Sequence, residues 1–180
     1  MKPHVNLIFL LFISGCAMTK SEPLTAINSR VDLNRFMGDW HVIASIPIDL
    51  WLVSEANAYN GVESYELDPD GKINTTYTFR EGSFSGEMKQ FNPVAWVSNT
   101  ETNAQWTMQF LWPFRSTYLI AHLDDQYQET IIGVPSRKYV WIMTRDPNPG
   151  DDKISELIDR AVSMGHDRAS IRIIPQQWER

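Results

Sequence analysis

Between residues 41 and 145 the sequence consists of eight short strand-like runs that are separated by tight turns. In the run at 72–80, the odd positions from Ile73 to Phe79 face one side and polar residues face the other, as in a strand with one buried face. Short hairpin-like turns join most of the runs, without the helical crossovers that a parallel sheet requires. The chain therefore predicts an antiparallel meander. The eight runs are 41–46, 61–67, 72–80, 87–97, 102–112, 116–123, 128–134 and 138–145.

Turn signals and one helix complete the predicted architecture. In DPDG at 68–71, Pro69 presets φ and Gly71 accepts a positive φ, and Pro93 predicts a bulge or an edge inside its run. Apolar residues recur at spacings of three and four between 151 and 165, which predicts an amphipathic helix, and 170–174 predicts a last strand. The fold class is all-β: an eight-stranded up-and-down antiparallel barrel with one C-terminal α-helix packed outside. Eight closed strands leave room for side chains or one small ligand.

The first 34 residues do not follow the strand pattern. A cationic start at 1–4 and an apolar run at 5–13, too short to span a membrane as a helix, indicate a secretory signal. The run ends in ISGC, which resembles the lipobox of bacterial lipoproteins and would make Cys16, the only cysteine, the acylated residue. The alternative is a plain signal peptide with an unmodified thiol. We predict a lipoprotein signal peptide at 1–15, a lipidated tether at 16–34 and the barrel domain at 35–180.

Composition argues against several classes of function. The net charge of −6 makes a nucleic-acid partner improbable, because phosphate binding needs a clustered cationic face. The four histidines are scattered without metal-ligand spacing, so no metal or cofactor is predicted. GSFSG at 82–86 has Phe84 at its centre, not the serine of a nucleophile elbow, and lies in a hairpin. No catalytic residue is therefore predicted.

Three stretches together resemble the lipocalins: MGDW at 37–40, FLWPFRSTYLIAHLDDQY at 110–127 and YVWIMTRDPN at 139–148. The resemblance covers about residues 34–175 and is closest to bacterial and apolipoprotein-D-like lipocalins. It implies that Trp40 plugs the closed end of the barrel and that Arg145 lies across its indole, a cation–π contact of roughly 0.5–2 kcal/mol. Gly38 would let the chain cross close to the floor. His41 departs from the Tyr of many relatives. Ala17, where inner-membrane lipoproteins carry Asp, implies the outer membrane.

Strand parity predicts the residues that line the barrel. If the terminal helix covers the outside of the last strand, Val140 and Ile142 face the helix and their neighbours face inward. An inner face rich in Tyr, Trp and Met is typical of a ligand cavity, although the same residues could fill a solid core. Glu63 is costly inside unless it is paired or reached by water; it could meet a ligand head group, or its strand could be shifted by one residue. The predicted lining is Glu63, Tyr65, Tyr77, Phe79, Met108, Phe110, Tyr118, Ile120, Tyr139, Trp141 and Met143.

The predicted function follows from the barrel, the lipobox and the resemblance. We expect an outer-membrane lipoprotein, anchored by its N-terminal lipid, that binds a fatty acid or lysophospholipid for storage or transport in envelope maintenance. The ligand class is what the resemblance implies. Two alternatives remain open at this point: a barrel enzyme that acts on a lipid or isoprenoid, and a ligand-free envelope interaction module.

Overall fold

The computed structural model describes residues 22–50 and 53–178. The strands are β1 (Gly38–Ile46), β2 (Asp49–Leu50), β3 (Val53–Ser54), β4 (Ala58–Leu67), β5 (Lys72–Glu81), β6 (Met88–Phe91), β7 (Val94–Val97), β8 (Gln105–Leu111), β9 (Phe114–Leu123), β10 (Glu129–Gly133), β11 (Val140–Thr144) and β12 (Arg172–Ile173). The α-helices are α1 (Leu33–Phe36) and α2 (Asp151–Ser163), and a 3₁₀ helix covers Arg168–Ser170. Neither α-helix of this described part is long and apolar enough to cross a membrane.

The predicted barrel is confirmed. Neighbouring strands pair antiparallel from β4 round to β11, and β11 pairs back onto β1, which closes the sheet. β6 and β7 both pair with β5 and form one barrel strand that is interrupted at Asn92 and Pro93. Eight strands therefore form the wall. The β2–β3 hairpin and β12 are additions to it, and β12 lies beside β1.

Alternation along β11 separates two apolar clusters. Trp141 and Met143 point into the barrel, whereas Val140 and Ile142 pack outside against α2. All four side chains are buried because the helix covers the outer face of the strand. The helix contributes a stripe of apolar residues, including Leu157, as its spacing predicted. Its N-cap is Gly150, and the two aspartates that follow lie in the first turn.

Part of the predicted tether packs on the barrel. Leu24 and Val31 are buried, and three backbone N–H groups bond to barrel carbonyls: Leu24 to Pro135, Ile27 to Ile120 and Val31 to Thr102. The assignment of 16–34 as a tether therefore does not hold from residue 22 onward. A few widely spaced apolar side chains are enough to fix this extended segment, and they carry no period that the sequence could show. The signal peptide, Cys16 and residues 17–21 lie outside the described residues.

The two ends of the barrel differ. β1 starts at one end, next to α1, and every second connection returns to that end because the strands alternate in direction. The interior there is closed by buried rings. The connections at the opposite end, which we call the open end, are residues 47–57, 82–87, 112–113 and 134–139.

The closed end is held by Trp40 and Arg145. The guanidinium carbon of Arg145 lies 3.8 Å from the centre of the Trp40 ring, as the resemblance implied. Arg145 also donates to the backbone carbonyls of residues 35, 36, 37 and 39 at 2.6–3.0 Å, and the Trp40 indole N–H donates to Phe36 O at 2.8 Å. Gly38 has a φ of +90°, and a Cβ there would lie 3.4 Å from Arg145 Nη1. One guanidinium thus ties α1, β1 and β11 together.

Trp40 and Arg145 should behave as one structural unit. Trp40→Ala should lower the free energy of unfolding by about 3–5 kcal/mol because it truncates a fully buried ring, and Arg145→Ala should lower it less. A double-mutant cycle by urea unfolding should give a coupling of about 1 kcal/mol. The pair of partly buried Trp96 and exposed Arg115, at 5.2 Å, is the control and should couple more weakly. Additive effects of Trp40→Ala and Arg145→Ala would show that the contact does not stabilise the floor.

Candidate functional site

A pocket occupies the upper half of the barrel, between the floor and the open end. Five of the predicted lining residues surround it, together with three that the sequence analysis did not single out. Phe91 and Phe110 lie at its rim, and Phe110 is 37% exposed. The lining residues are Glu55, Glu63, Tyr77, Phe91, Pro93, Phe110, Tyr118 and Trp141.

The other six predicted residues also lie on the inner face but do not line the pocket. Five of them, Tyr65, Phe79, Met108, Ile120 and Met143, are buried in the interior cluster below or beside it. Tyr139 is partly buried, and its ring centre is 6.3 Å from that of Trp141. Strand parity therefore predicts which side chains point inward, but not how far each one lies between the floor and the open end. Their roles in ligand binding stay predictions.

Strand alternation would place Trp112, two residues after Phe110, on the same face as Phe110, but the structure does not. The register of β8 against β9 shifts between Met108 and Leu111, so the strand bulges before the hairpin. Trp112 therefore lies at the tip of the β8–β9 hairpin and is 82% exposed. Phe114, on the other side of this tip, is 72% exposed.

Aromatic rings fill most of the space between the walls. The Tyr118 ring stacks on Trp106 at 5.6 Å and contacts Trp141 at 6.0 Å, and Trp141 stacks with Phe110 at 6.4 Å. The Tyr65 and Tyr118 hydroxyls are hydrogen-bonded to each other. The remaining cavity volume is about 20 Å³, which is room for about one water molecule. A larger guest can enter only if rings at the rim move.

Glu63 points into the barrel in the register that the sequence predicted, opposite Tyr77 on β5. Burial raises the pKa of Glu63 well above its ordinary value, and the neighbouring Glu55 carboxylate raises the pKa further. Burial therefore favours the protonated form of Glu63 over its carboxylate. No cationic side chain is among the described lining residues of the pocket to pair with that carboxylate. The strand is not shifted by one residue.

Glu55 is the second acid of the pocket. It follows β3 and is 5% exposed. Its Oε2 accepts from Ile48 N at 3.3 Å and from Trp141 Nε1 at 3.2 Å, so it fixes the indole at the rim. Burial raises the pKa of Glu55 to about 7, against the opposing effect of these two hydrogen bonds. The role of Glu55 could not be predicted from strand periodicity, because the residue lies in a connection.

The Tyr77 hydroxyl adds a neutral donor to the pocket. It is buried and has no hydrogen-bond partner among the described groups. The hydroxyl lies where residue 61 has no side chain: a Cβ on Gly61 would be 2.9 Å from it. Burial raises the pKa of Tyr77 well above its ordinary value, which keeps it protonated. The polar groups of the pocket are thus hydroxyls and two acids whose burial favours the protonated form, and no Lys or Arg is among its lining residues in the described chain.

Within residues 22–50 and 53–178, no group of three or more His, Cys, Asp and Glu side chains could hold a metal ion. The pocket combines an apolar ring-lined wall, two buried acids and one end sealed by a tryptophan. If the rim rings move aside, such a wall suits an apolar guest and offers it a few hydrogen-bonding groups.

A family model described as a lipocalin-like domain matches residues 31–176. The chain belongs to this lipocalin-like family. The temperature-induced lipocalin-1 of Arabidopsis thaliana is 29% identical over 168 residues, covering 88% of this lipocalin and 86% of the relative. The outer membrane lipoprotein Blc of Escherichia coli K12 is 26% identical over 157 residues, covering 87% and 85%. The outer membrane lipoprotein Blc of Vibrio cholerae is 24% identical over 178 residues, covering 94% and 98%.

Solved structures show the same fold at low sequence identity. Apocrustacyanin C2 superposes on this lipocalin with a TM-score of 0.61 at 12% identity, over 81% of this chain and 80% of the other. Lobster apocrustacyanin A1 has a TM-score of 0.60 at 11% identity, over 89% and 94%. Their sequences have diverged so far that this likeness speaks to the barrel architecture alone.

Glu55 should make the stability of this lipocalin depend on pH. Between its ordinary pKa of 4.5 and its folded pKa of about 7, the unfolded chain loses the proton first, so the free energy of unfolding falls as pH rises through this window. Glu55→Gln removes this pH dependence. The free energy of unfolding of the variant, relative to that of wild type, should rise by up to about 3 kcal/mol between pH 4.5 and 7.5, as measured by urea unfolding.

The control is Glu66→Gln, which changes an exposed acid on the same barrel wall. Its free energy of unfolding should stay parallel to that of wild type over the same pH range. A constant difference between wild type and Glu55→Gln across the window would show that Glu55 ionises equally in both states, and would contradict its burial in the pocket.

Proposed function

We propose that this lipocalin binds one long-chain fatty acid or lysophospholipid, with the acyl chain inside the barrel and the head group at the rim. The observation that carries the proposal is the ring-lined pocket inside a barrel whose floor is sealed by buried rings. Each buried methylene contributes about 0.8 kcal/mol. A single-ended, largely apolar shaft favours a linear chain that enters tail first.

The polarity of the pocket supports this orientation. An anionic or zwitterionic head group inside the barrel would meet Glu55 and Glu63, with no cationic side chain among the lining residues to pair with it. At the rim, by contrast, Arg115 and Lys138 are exposed. The Tyr77 hydroxyl and the protonated acids can contact an acyl chain or a retained water without bringing a charge into contact with it; for Glu55 this holds below its pKa of about 7.

Binding requires rearrangement at the rim, because the rings leave little free volume. Phe110 is partly exposed and stacks on Trp141 from the solvent side, so its rotation loses less packing than movement of a floor residue. We infer that the filled barrel and an opened barrel are alternative states and that the ligand stabilises the opened one. A closed, ligand-free barrel then describes the resting state.

The place of action that we propose is the outer membrane. Relatives at 24–26% identity are named outer membrane lipoproteins, and the lipobox that ends at Cys16 supports an acylated N-terminus here. We infer a role in storing or moving lipids for envelope maintenance. Because the described groups that line the pocket form no nucleophile–base pair and lipocalin family proteins are generally binding or transport proteins, we infer binding and not catalysis.

Lipid binding should be saturable and should depend on the rim. We expect a fatty acid to change tryptophan fluorescence and to co-purify in native mass spectrometry, with affinity that rises with chain length until the tail fills the barrel. Trp141→Ala and Phe110→Ala should alter affinity by tenfold or more, about 1.4 kcal/mol, while a cooperative thermal transition remains. The matched control is Trp178→Ala, which removes a ring that is also 37% exposed but lies outside the barrel; its affinity should equal that of wild type.

Two results would contradict the binding proposal. One is the absence of any lipid bound above background in both measurements. The other is a loss of folding in Trp141→Ala as severe as that in Trp40→Ala, which would make the upper barrel a solid core.

Acylation of Cys16 is tested separately. Cys16→Ser should leave the signal uncleaved by the lipoprotein peptidase and should abolish labelling by radioactive palmitate in cells. Palmitate that is incorporated equally into the variant would place the modification elsewhere and remove the support for anchoring at residue 16.

A further inference from the structure

Exposed large apolar side chains concentrate at one end of the barrel. Of the eight such side chains in residues 22–50 and 53–178, two, Ile173 and Trp178, belong to the C-terminal segment. The other six belong to three connections of the open end or to the strand residues next to them. They are Leu50 (52%), Phe84 (38%), Met88 (51%), Phe110 (37%), Trp112 (82%) and Phe114 (72%).

Their positions follow from the topology. Leu50 lies in the β2–β3 hairpin, Phe84 and Met88 in and next to the β5–β6 turn, and Trp112 and Phe114 at the β8–β9 tip. All three connections return at the end opposite Trp40. Scattered single apolar residues are normal on a protein surface, but a concentration around one opening marks an interaction site. Because Phe110 also lines the pocket, this apolar surface is continuous with the ligand entrance.

The N-terminal segment leads back to the same end. Glu22, the first described residue, accepts a hydrogen bond from Arg137 Nη1 at 2.6 Å, and Leu24 N donates to Pro135 O at 3.0 Å. Arg137 and Pro135 lie in the β10–β11 connection of the open end. The chain then runs along the barrel to the floor, where Val31 bonds to Thr102. Glu22 lies six residues after Cys16, and an extended chain of that length spans at most about 20 Å. A lipid attached to Cys16 would therefore lie within about 20 Å of Glu22.

We propose that the open end docks on a lipid bilayer, with the Trp112 and Phe114 hairpin tip and the side chains of Leu50, Phe84 and Met88 in the interfacial layer. The inference rests on the proposed function only in taking Cys16 as the lipid anchor. Tryptophan and phenylalanine suit this layer because their rings are apolar or amphipathic and large. The pocket entrance then faces the bilayer, and an acyl chain passes between bilayer and barrel without crossing water.

Charge makes a small contribution to this docking. Arg115 and Lys138 lie at the open end, but so do Asp49 and Glu81. Lys89 Nζ forms ion pairs with Glu81, at 3.4 Å, and with Glu87. The rim is thus nearly balanced, and the apolar tips carry the docking. We expect it to depend little on anionic lipid and on salt, unlike the docking of a polybasic surface.

The test uses the full mature protein purified from membranes and mixed with vesicles of phosphatidylethanolamine and phosphatidylglycerol, with and without bromine on the acyl chains. Bromine quenches tryptophan fluorescence only at close range. The signal of Trp112 is the difference between wild type and Trp112→Ser, a substitution that removes an exposed ring and should leave the urea unfolding midpoint close to that of wild type. The control is Trp178→Ser, whose tryptophan lies beside His41 on the barrel wall.

Docking predicts that brominated lipid removes most of the Trp112 difference signal and leaves the Trp178 difference signal unchanged. The loss should persist in high salt and in vesicles without phosphatidylglycerol. Equal quenching of both signals, or of neither, overturns the proposal, as does a failure of the protein to sediment with vesicles. Shielding of Trp112 from a water-soluble quencher without vesicles would assign the tip to contact between copies of the chain, which also overturns it.

Failure of the docking proposal is distinguishable from failure of the proposed function. Protein that is palmitoylated and sediments with vesicles, but whose Trp112 is not quenched, is anchored without docking. Quenching of Trp112 in protein that carries no palmitate would instead keep the docking surface and remove the anchor. Lipid binding in the barrel is measured independently by native mass spectrometry.

Discussion

The contact of Arg145 with Trp40 is the constraint on which the rest of the structure depends. An eight-stranded barrel has two possible openings, and this contact seals one of them. The guanidinium covers the indole face and binds four backbone carbonyls that enter the barrel floor. The strand pairing of β1 with β11 closes the wall at the same place, so this end of the interior is sealed. The pocket rim, most of the exposed large apolar side chains and the start of the described N-terminal segment all lie at the end opposite the sealed floor.

The chemistry of the interior is set by burial and not by ion pairs. Two glutamates point inward, and the low dielectric around them raises the pKa of Glu63 well above its ordinary value and brings the pKa of Glu55 to about 7. An arginine or lysine inside would have favoured their carboxylate forms and a charged ligand. Burial instead favours the protonated acids, which an acyl chain can contact. Glu55 also holds Trp141, so the residue that closes the upper barrel is itself positioned by a titratable group.

Strand parity made most of the barrel predictable from the sequence. A period of two assigns each side chain to one face, and the helix-covered face of β11 fixed which side is inward for Trp141 and Met143. Parity fails where the period is interrupted. The bulge before the β8–β9 turn moved Trp112 to the surface, and Glu55 and the packed segment after residue 22 lie in stretches with no period. These features are set by tertiary contacts, and two of them shape the entrance and its surroundings.

An acyl chain should be able to occupy the space next to Tyr118 that the rings of Trp141 and Phe110 now fill. The most direct measurement is a crystal structure of the protein with a long-chain fatty acid that carries bromine on its terminal carbon, located by anomalous scattering. We expect one bromine inside the barrel, beside Tyr118 and Glu63. Phe110 should be rotated away from Trp141, and the carboxylate of the fatty acid should lie at the rim. A bromine found only on the outer surface, with the rings in their present positions, would contradict it.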